Sequence, residues 1–568
     1  MNDDVHGARR RVDMPARVTR RGLLRRGLAA GVGTALPLAG RPGGEHADPR
    51  AGATAGGPLV VLTLFGLPTR LVGSTEVTAF YVELLIHDVL ARPDWKTGTP
   101  VPRLAERWTR SADGRSYTVS LRNAQFQDGR PVTAEDVKFS YEFYLHPQYP
   151  LLDEDLREIQ GADAYRQGKA QEVTGIAVVD QRTVRFTLDR RYAFFVESIL
   201  GSEHYIMPKH GWTGVDMSRM LEHPYARAPI GAGPYRLVDW KQNDSMNLEA
   251  FPGYWRGRPS VERAVVRLIP EPSTLEAELR AGDVDAAAIL PDDFPAFQQD
   301  PKVQAIRMTA EFCYWFSVNH QHPLFRDARV RQALALAVDR DTMVRTLAKG
   351  NGRVVNSIIP PQSPLYDTSL PGYPYNPSRA QLLLREAGCT PGPGGVLQKD
   401  GVPYRVRYNF LSEKRYQDIG LVVQQYLRQV GVELTLQPLE RGEFFGRYWQ
   451  PANAGNIEMV GLSLYVLPPI SPLQGSLEGA FLSTSSWARN LQYQNPEVDG
   501  LLRQAAGAVD SGALRTIYFR LQEVLQNDVA WIVLFRPDEL WAVRRRIVMP
   551  PVRELAQLYD SVPEWKVT

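Results

Sequence analysis

Residues 229–285 constrain the fold of this chain most, because turn signals and strand patterns alternate within them. Gly231 and Gly233 predict a tight turn through their tolerance of positive φ, and Pro234 fixes the next bend. Alternating or β-branched apolar residues then predict strands over three stretches: 235–240, 246–251 and 264–269. This part of the chain therefore predicts a sheet.

A short helix and one more strand complete the block. Ser273 or Thr274 can cap a helix over residues 275–280, and Gly282 can end it. Residues 284–290 predict a further strand. Strands gathered around one helix over so short a stretch indicate an α/β domain.

The motifs of this block are G-A-G-P-Y-R-L-V-D-W, G-Y-W, P-E-P-S-T and G-D-V-D. Together they closely resemble the extracytoplasmic solute-binding proteins of ABC importers, in the peptide/nickel-type family (family 5). Residues 104–144, with L-A-E-R-W and T-A-E-D-V-K-F-S-Y-E, resemble the same family, as do residues 320–344, with R-V-R-Q-A-L-A-L-A-V-D-R. The resemblance covers essentially residues 58–545.

This resemblance implies an α/β chain with the two-lobed, type II fold of periplasmic binding proteins. An extra subdomain is expected within the first lobe, and a hinge between the lobes. The expected ranges are 1–55 for a leader; 56–100, 229–308 and 536–568 for lobe I; 101–228 for the inserted subdomain; and 309–535 for lobe II. Crossing segments near residues 307–312 and 528–535 should join the lobes, and ligand should bind in a cleft that closes by hinge motion.

Local patterns elsewhere agree with an α/β chain. Thr133 and Asp136 predict a capping box at the start of a helix, and Asp327 predicts the cap of another. Further predicted elements are a buried parallel strand over 59–65, a βαβ-like unit over 404–411, 416–430 and 432–439, and a short strand over 531–535.

The first 55 residues predict an export signal. They carry ten Arg against five acidic residues, whereas the rest of the chain holds 56 basic and 58 acidic residues, a balance that excludes a nucleic-acid footprint. Residues 19–25, T-R-R-G-L-L-R, resemble the twin-arginine translocation pattern, and an apolar segment follows over 27–40. Cleavage is expected at 53–55 or near 38–40. The alternative is a disordered basic tail.

No cysteine follows that apolar segment, so we expect a free periplasmic protein without a lipid anchor. The two cysteines of the chain, Cys313 and Cys389, could pair in an oxidising compartment. Two isolated thiols are the favoured interpretation.

The family resemblance also bears on the ligand. In peptide-binding members, a strand before a proline-containing turn carries an Asp that pairs with the peptide amino terminus. The matching stretch here is G-L-S-L-Y-V-L-P-P over 461–469, which places Tyr465 at that position and Leu462 at that of a usual Trp. No acidic residue occurs between Glu458 and Glu478. A buried ammonium would lack its counter-charge, so we expect a neutral, hydroxylated or aromatic ligand instead of an ordinary peptide.

Other candidate ligand contacts are aromatic residues and one arginine. Tyr314 and Trp315 lie on an aromatic strand after the first crossing, and Trp449 precedes the stretch with Tyr465. Trp487 and Arg489 follow that stretch, and Phe535 lies at the second crossing. Each aromatic residue could equally belong to the core. Arg489 could bind a carboxylate or phosphate, or form a surface ion pair.

Signatures of catalysis and metal binding are not found in the sequence. G-x-S-x-G, H-E-x-x-H, P-loop and dinucleotide-binding patterns are missing. His320 and His322 could bind a metal but are expected on a surface turn. We therefore expect neither enzymatic activity nor a cofactor.

The leading hypothesis is a monomeric periplasmic protein that delivers a small solute to an ABC permease and ATPase complex. The solute could be an oligopeptide-like compound, a modified peptide, an opine or an oligosaccharide. Two alternatives stay open: a secreted hydrolase of saccharides or peptides, and a binding protein that serves a sensor or chemoreceptor.

Overall fold

The computed structural model describes residues 59–64, 67–74, 77–94, 99–149, 154–201, 203–449, 457–465, 473–508 and 510–568. The predicted leader over residues 1–55 lies outside these ranges. No helix in the described ranges is both long and apolar enough to cross a membrane.

The strands are short apart from one. They are β1 (Leu59–Leu64), β2 (Ala91–Pro93), β3 (Pro100–Pro102), β4 (Ala105–Arg110), β5 (Ser116–Leu121), β6 (Ile176–Asp180), β7 (Thr183–Thr187), β8 (Tyr235–Lys241), β9 (Ser245–Ala250), β10 (Arg263–Leu268), β11 (Ala286–Ala288), β12 (Val303–Thr309), β13 (Phe312–Val318), β14 (Gly352–Arg353), β15 (Thr390–Pro391), β16 (Leu397–Lys399), β17 (Val402–Pro403), β18 (Arg405–Leu411), β19 (Glu433–Leu439), β20 (Met459–Tyr465), β21 (Ile532–Arg544), β22 (Ile547–Val548) and β23 (Lys566–Val567).

Sixteen α-helices lie between and after these strands in the described part of the chain. They are α1 (Val77–Ile86), α2 (Ala134–Leu145), α3 (Ala162–Arg166), α4 (Pro224–Arg227), α5 (Pro272–Ala281), α6 (Phe294–Gln299), α7 (Ala328–Ala337), α8 (Arg340–Leu347), α9 (Pro377–Glu386), α10 (Lys414–Gln429), α11 (Arg441–Trp449), α12 (Leu473–Phe481), α13 (Ser486–Asn490), α14 (Pro496–Ala506), α15 (Ser511–Asp528) and α16 (Leu555–Ser561).

The strands predicted in residues 229–285 are confirmed. β8, β9 and β10 form an antiparallel series, and β10 pairs in parallel with β1. β11 covers only Ala286–Ala288 and is shorter than the predicted strand. The predicted cap at Ser273 or Thr274 is wrong, because α5 begins at Pro272 with Glu271 before it and no side-chain cap. Gly282 ends α5 with φ of 97°, as predicted.

The turn glycines serve another purpose than predicted. Neither Gly231 nor Gly233 has a positive φ. Instead, both backbones lie against the end of α1: a Cβ on Gly231 would stand 1.9 Å from the carbonyl oxygen of Ile86. The Gly233 N–H donates to that same oxygen at 2.9 Å. The glycines are needed for close approach of two backbones.

The main sheet has the order β19-β18-β20-β13-β21-β11-β1-β10-β9-β8, with β12 and β14 also paired to β21. β21 runs for 13 residues, so the predicted strand over 531–535 is too short. Its first part pairs with β13 and its last part with β11 and β12. One strand thus belongs to two parts of the sheet. The β1 half holds β1, β8 to β12 and the last part of β21, and the β18 half holds β13, β18 to β20 and the first part of β21.

Two local predictions hold well. β18, α10 and β19 form the predicted βαβ unit, with β18 and β19 parallel. At α2, the Thr133 N–H donates to Asp136 at 2.9 Å while the Thr133 hydroxyl accepts from the Asp136 N–H, the predicted capping box. α2 packs near a separate antiparallel sheet of order β4-β5-β7-β6. Cys313 and Cys389 are both free and buried.

Candidate functional site

The carboxyl ends of the parallel strands in the β18 half meet at one edge. β18 is parallel to both β19 and β20, so these strands end together, at Leu411, Leu439 and Tyr465. β13 is antiparallel to β20 and therefore begins at this edge, with Phe312 directly opposite Tyr465. Ligands of open α/β sheets bind outside such carboxyl edges.

The carboxyl edge of the β1 half faces that of the β18 half. β1 is parallel to β10 and β11, and β11 and β12 are both antiparallel to β21. The strands β1, β10, β11 and β12 thus end toward the point where β12 passes into β13. The two carboxyl edges lie on either side of the two crossing segments, residues 309–312 and 535–538. The space between them is the candidate site.

A buried arginine ties the two crossing segments together. Arg536 is fully buried, and its guanidinium donates to the carbonyl oxygens of Ala310 at 2.8 Å and Ile358 at 3.1 Å. The Ala310 N–H also donates to the Pro537 carbonyl at 3.3 Å. Because these bonds join residues far apart in the chain, the crossing has a defined geometry.

Aromatic side chains line the start of β13. The ring of Tyr314 lies 5.1 Å from that of Phe535 and 5.9 Å from that of Tyr416, between ring centroids. Phe312 packs against Tyr314 at 5.4 Å. Sequence reasoning proposed Tyr314 and Phe535, and the structure brings them together. Tyr416 on α10 was not among the residues proposed from the sequence. Its hydroxyl lies 2.7 Å from Ser463 Oγ.

Charged groups surround these rings at the start of α10. The Arg415 guanidinium lies 5.1 Å from the centroid of the Tyr416 ring and donates to Glu413 at 2.6 Å. Glu413 also accepts from Arg441 at 2.7 Å. On β21, burial and the Glu311 carboxylate raise the pKa of Glu539 to about 7, against the opposing effect of Arg415. Glu539 was not proposed from the sequence, because it lies beyond the predicted strand over residues 531–535.

Trp315 and Trp487 are also brought together, in a buried cluster. Trp315 stacks on Trp531 with centroids 3.7 Å apart and planes at 11°, and Trp487 meets Trp315 edge-on at 5.6 Å. Phe481 closes the cluster at 4.9 Å from Trp531. Trp315 is 1% exposed and Trp487 is 7% exposed. This packing favours the core interpretation that the sequence left open, and ligand contact by either residue stays a prediction.

The remaining candidates are dispersed. Arg489 is exposed on α13. Tyr465 ends β20, and Trp449 ends α11, but the side chains of both lie outside the described part of the structure. Their contacts with ligand stay predictions.

The predicted surface position of His320 is wrong. His320 is 6% exposed, its Nε2 lies 3.2 Å from the Ala530 carbonyl, and its ring packs against Tyr493. Burial holds its pKa far below the ordinary value, at about 3. Among the described residues, no group of three or more His, Cys, Asp or Glu side chains is arranged to hold a metal ion.

Comparison with known proteins agrees with this geometry. The family model for bacterial extracellular solute-binding proteins, family 5 middle, matches residues 99–474. The oligopeptide-binding protein AppA of Bacillus subtilis is 27% identical over 522 residues, which cover 90% of this chain and 92% of that one. Its structure with a nonapeptide superposes with a TM-score of 0.74, 25% identity and coverage of 90% and 99%. NikA from Brucella suis in complex with Fe(III)-EDTA shares the fold at a TM-score of 0.78, with 21% identity and coverage of 90% and 100%.

The fold and the facing strand edges define a two-lobed binding protein of the type II class, so the predicted fold is confirmed. The chain belongs to family 5 of the bacterial extracellular solute-binding proteins. Members of this family work outside the cytoplasm, where they bind solutes for ABC importers.

Proposed function

We propose that this chain captures a small solute between its two carboxyl edges and delivers it to an ABC permease and ATPase complex. The solute is neutral, hydroxylated or aromatic, for example a modified peptide, an opine or an oligosaccharide, and lacks a free α-ammonium group. Export through the twin-arginine pathway, without a lipid anchor, is part of the same proposal.

One observation carries the choice of solute: β20 ends at the carboxyl edge with Tyr465, and no acidic residue follows before Glu478. The acid that precedes β20, Glu458, accepts from the Arg407 side chain at 2.8 Å and from the Arg407 N–H at 2.7 Å. It lies at the opposite end of the strand from Tyr465 and already has a cationic partner. A buried ammonium at the end of β20 would find no counter-charge on this strand or on the residues that follow it before Glu478, and a missing partner costs about 3–5 kcal/mol.

The aromatic groups at the crossing are consistent with the same solute. Tyr314, Phe535 and Tyr416 pack together there and are 7%, 2% and 4% exposed, and the Tyr416 hydroxyl lies 2.7 Å from Ser463 Oγ. Such groups suit apolar rings and hydroxyls. Among the relatives, AppA was crystallised with a nonapeptide and NikA with Fe(III)-EDTA, so proteins with this fold hold chemically different ligands.

The lobe boundaries form part of the proposal. Lobe I comprises residues 56–100, 229–308 and 536–568, lobe II residues 309–535, and the inserted subdomain residues 101–228. Strand pairing supports this division, because the partner of β21 changes from β13 to β12 between Phe535 and Asp538.

Isothermal titration calorimetry with unmodified di- to pentapeptides tests the choice of solute. We expect weak or undetectable binding by the wild-type chain and a gain of binding in Tyr465→Asp. Tyr465→Asn is the matched control, because it changes the size of the side chain similarly without adding charge. Wild-type binding of these peptides at micromolar or tighter affinity would contradict the proposal. Native mass spectrometry of freshly purified protein would identify a solute retained from the host.

A further inference from the structure

The inserted subdomain is in contact with both lobes. Residues 101–228 continue into lobe I at both ends, and they also pack against α12, α14 and α15 of lobe II. We call this contact with lobe II the seam. The crossing segments already join the lobes, so the seam is a further connection between them. If the lobes swing apart, either the seam or the junction of the subdomain with lobe I has to separate.

A backbone bond and a pair of rings form one part of the seam. The Ala193 N–H donates to the Ala506 carbonyl oxygen, at the end of α14, at 2.7 Å. The ring of Phe194 lies 6.3 Å from that of Tyr518 on α15, between centroids. These two rings are 1% and 0% exposed, so the seam is closed to solvent here.

A carboxylate of the subdomain lies against a glycine of lobe II in another part of the seam. Asp155 is 1% exposed, and both of its carboxylate oxygens would stand 3.3 Å from a Cβ on Gly475. Gly475 belongs to α12, the described element that follows β20 in the chain. The seam therefore involves the segment that leaves the carboxyl edge at Tyr465.

Buried hydroxyl groups beside the seam are bonded within their own side of it. The Tyr192 hydroxyl donates to Asp155 Oδ1 at 2.6 Å, and both residues belong to the subdomain. The Tyr518 hydroxyl donates to Gln474 Oε1 at 2.7 Å, and Gln474 Nε2 donates to the Leu502 carbonyl at 2.9 Å, all within lobe II. These bonds would remain if the two sides of the seam parted.

The junction with lobe I, in contrast, pairs charges across the boundary. The Arg103 guanidinium of the subdomain donates to Asp88 at 3.0 Å and to Asp560 at 3.4 Å, and both acids belong to lobe I. The three side chains are buried, at 6%, 0% and 9% exposed. Separation here would break charge-assisted hydrogen bonds, which are stronger than neutral ones.

An amide side chain adds further bonds across the same boundary. Gln127 Nε2 donates to the carbonyl oxygens of Ile86 at 2.8 Å and Tyr235 at 2.6 Å, and Gln127 Oε1 accepts from the Gly231 N–H at 3.0 Å. Together with the covalent connections at both ends of the subdomain, these bonds make the junction with lobe I the stronger of the two contacts.

We propose that the seam is the releasable closure of the site: the inserted subdomain stays with lobe I and parts from α12, α14 and α15 when the lobes swing apart. The proposal rests on the lobe boundaries and on the capture of solute between the lobes proposed above. It does not depend on which solute is bound.

Hydrogen exchange on the whole exported chain, dialysed and without added solute, tests this proposal. Two amides of the subdomain report on its two contacts, because the Ala193 N–H bonds to lobe II and the Ile206 N–H bonds to the Asp88 carbonyl of lobe I at 3.0 Å. Mass spectrometry with fragmentation resolves the two amides, and their protection factors correct for intrinsic exchange rates. We expect the Ala193 amide to be less protected by about tenfold or more, because opening of the seam exposes it and leaves the Ile206 amide bonded.

Two glycines of α12 provide matched variants. Gly475→Leu places a side chain against Asp155, whereas a Cβ on Gly479 meets nothing within 4 Å. Gly475→Leu should accelerate exchange at Ala193 severalfold and leave Ile206 unchanged, and Gly479→Leu should change neither amide. If Gly475→Leu does not fold, the smaller Gly475→Ala is judged by the same criteria.

Equal or greater protection at Ala193 in the wild-type chain overturns the proposal, because the subdomain would then hold to lobe II at least as firmly as to lobe I. A folded Gly475 variant that accelerates both amides alike, or neither, overturns it as well. Exchange is read without a solute, so failure here leaves the choice of solute, which calorimetry tests, unaffected.

Discussion

Trp315 on β13 lies directly opposite Leu462 on β20 in the antiparallel pair at the centre of the β18 half. Leu462 stands where the family resemblance leads us to expect a tryptophan, and Trp315 beside it stacks on Trp531 with ring centroids 3.7 Å apart. Cross-strand neighbours of this kind share one face of the sheet.

Trp315→Leu should therefore lower the free energy of unfolding by about 3 kcal/mol, because it opens a cavity against Trp531. The exchange Trp315→Leu with Leu462→Trp should restore part of the loss, since the total volume is kept. Urea unfolding followed by circular dichroism measures both. If the double exchange is no more stable than Trp315→Leu, the two positions do not share one packing space.

Gly231→Ala should destabilise the chain by about 3 kcal/mol or more, because the new Cβ would stand 1.9 Å from the Ile86 carbonyl oxygen. The Ile86 backbone, unlike a flexible side chain, cannot shift without disturbing the end of α1. Gly500→Ala in α14 is the control: its Cβ meets nothing within 4 Å, so it should stabilise by about 0.5–1 kcal/mol. Melting temperatures of the two variants should move in opposite directions, and a Gly231→Ala chain of wild-type stability would contradict the close-approach role.

His87→Phe should protect the chain against acid. His87 is 1% exposed, neither ring nitrogen has a partner among the described residues, and burial lowers its pKa to about 3. Below pH 6.5, His87 is protonated in the unfolded chain but stays neutral in the native chain. The free energy of unfolding therefore falls by about 1.4 kcal/mol per pH unit until the pH approaches 3. The Phe ring can keep the stack on Tyr205, which now has centroids 5.2 Å apart.

Unfolding by urea at pH 7.5 and pH 4.5 measures this effect. Between these pH values, we expect the wild-type chain to lose about 2.7 kcal/mol more than His87→Phe. Other acid-sensitive groups, including the buried His320, are common to both chains and cancel in the comparison. Equal losses in the two chains would show that His87 takes up its proton in the native state.

Arg536→Met should loosen the crossing, because the Ala310 and Ile358 carbonyls would lose their donors. We expect a loss of about 2–4 kcal/mol, the range for two buried hydrogen bonds to a charged donor. Arg520→Met on α15 removes an exposed arginine with two acidic partners and should cost less than about 1 kcal/mol. Hydrogen exchange should accelerate at residues 309–312 in Arg536→Met alone; an unchanged rate there would contradict the tie between the crossing segments.

Features encoded within a few residues were predictable from the sequence. The capping box of Thr133 and Asp136 and the cap by Asp327 involve neighbours two or three positions apart, so their chemistry is visible in the chain itself. The strands of residues 229–285 also followed from their own pattern. In these cases local preference and tertiary packing agree.

Features that depend on distant partners were not predictable. The second part of β21 contains Arg536, Pro537 and Asp538, which break the strand pattern, yet the two terminal nitrogens of Arg536 donate to carbonyls more than a hundred residues away. His320 is buried because it meets the Ala530 carbonyl 210 positions later.

The ligand contacts proposed from the sequence stay predictions, although two of them, Tyr314 and Phe535, lie 5.1 Å apart at the crossing. Tyr416, which packs against Tyr314, was not proposed, because its position on α10 looks like that of any aromatic residue on an amphipathic helix. Whether a helix residue lies near the site depends on which edge of the sheet it is beside. The order of the strands in the sheet decides this, and that order cannot be predicted from local sequence.

β21 restricts the way in which the two halves of the sheet can move apart. An extended strand already spans about 3.3 Å per residue and has no slack, so this shared strand cannot lengthen to let the halves move straight apart. The halves can swing about it, and the gap then widens least at the strand and most at the far rim. The gap between the halves is therefore widest at the rim, while Arg536, Phe535 and Tyr314 stay buried beside the shared strand, at 0%, 2% and 7% exposed.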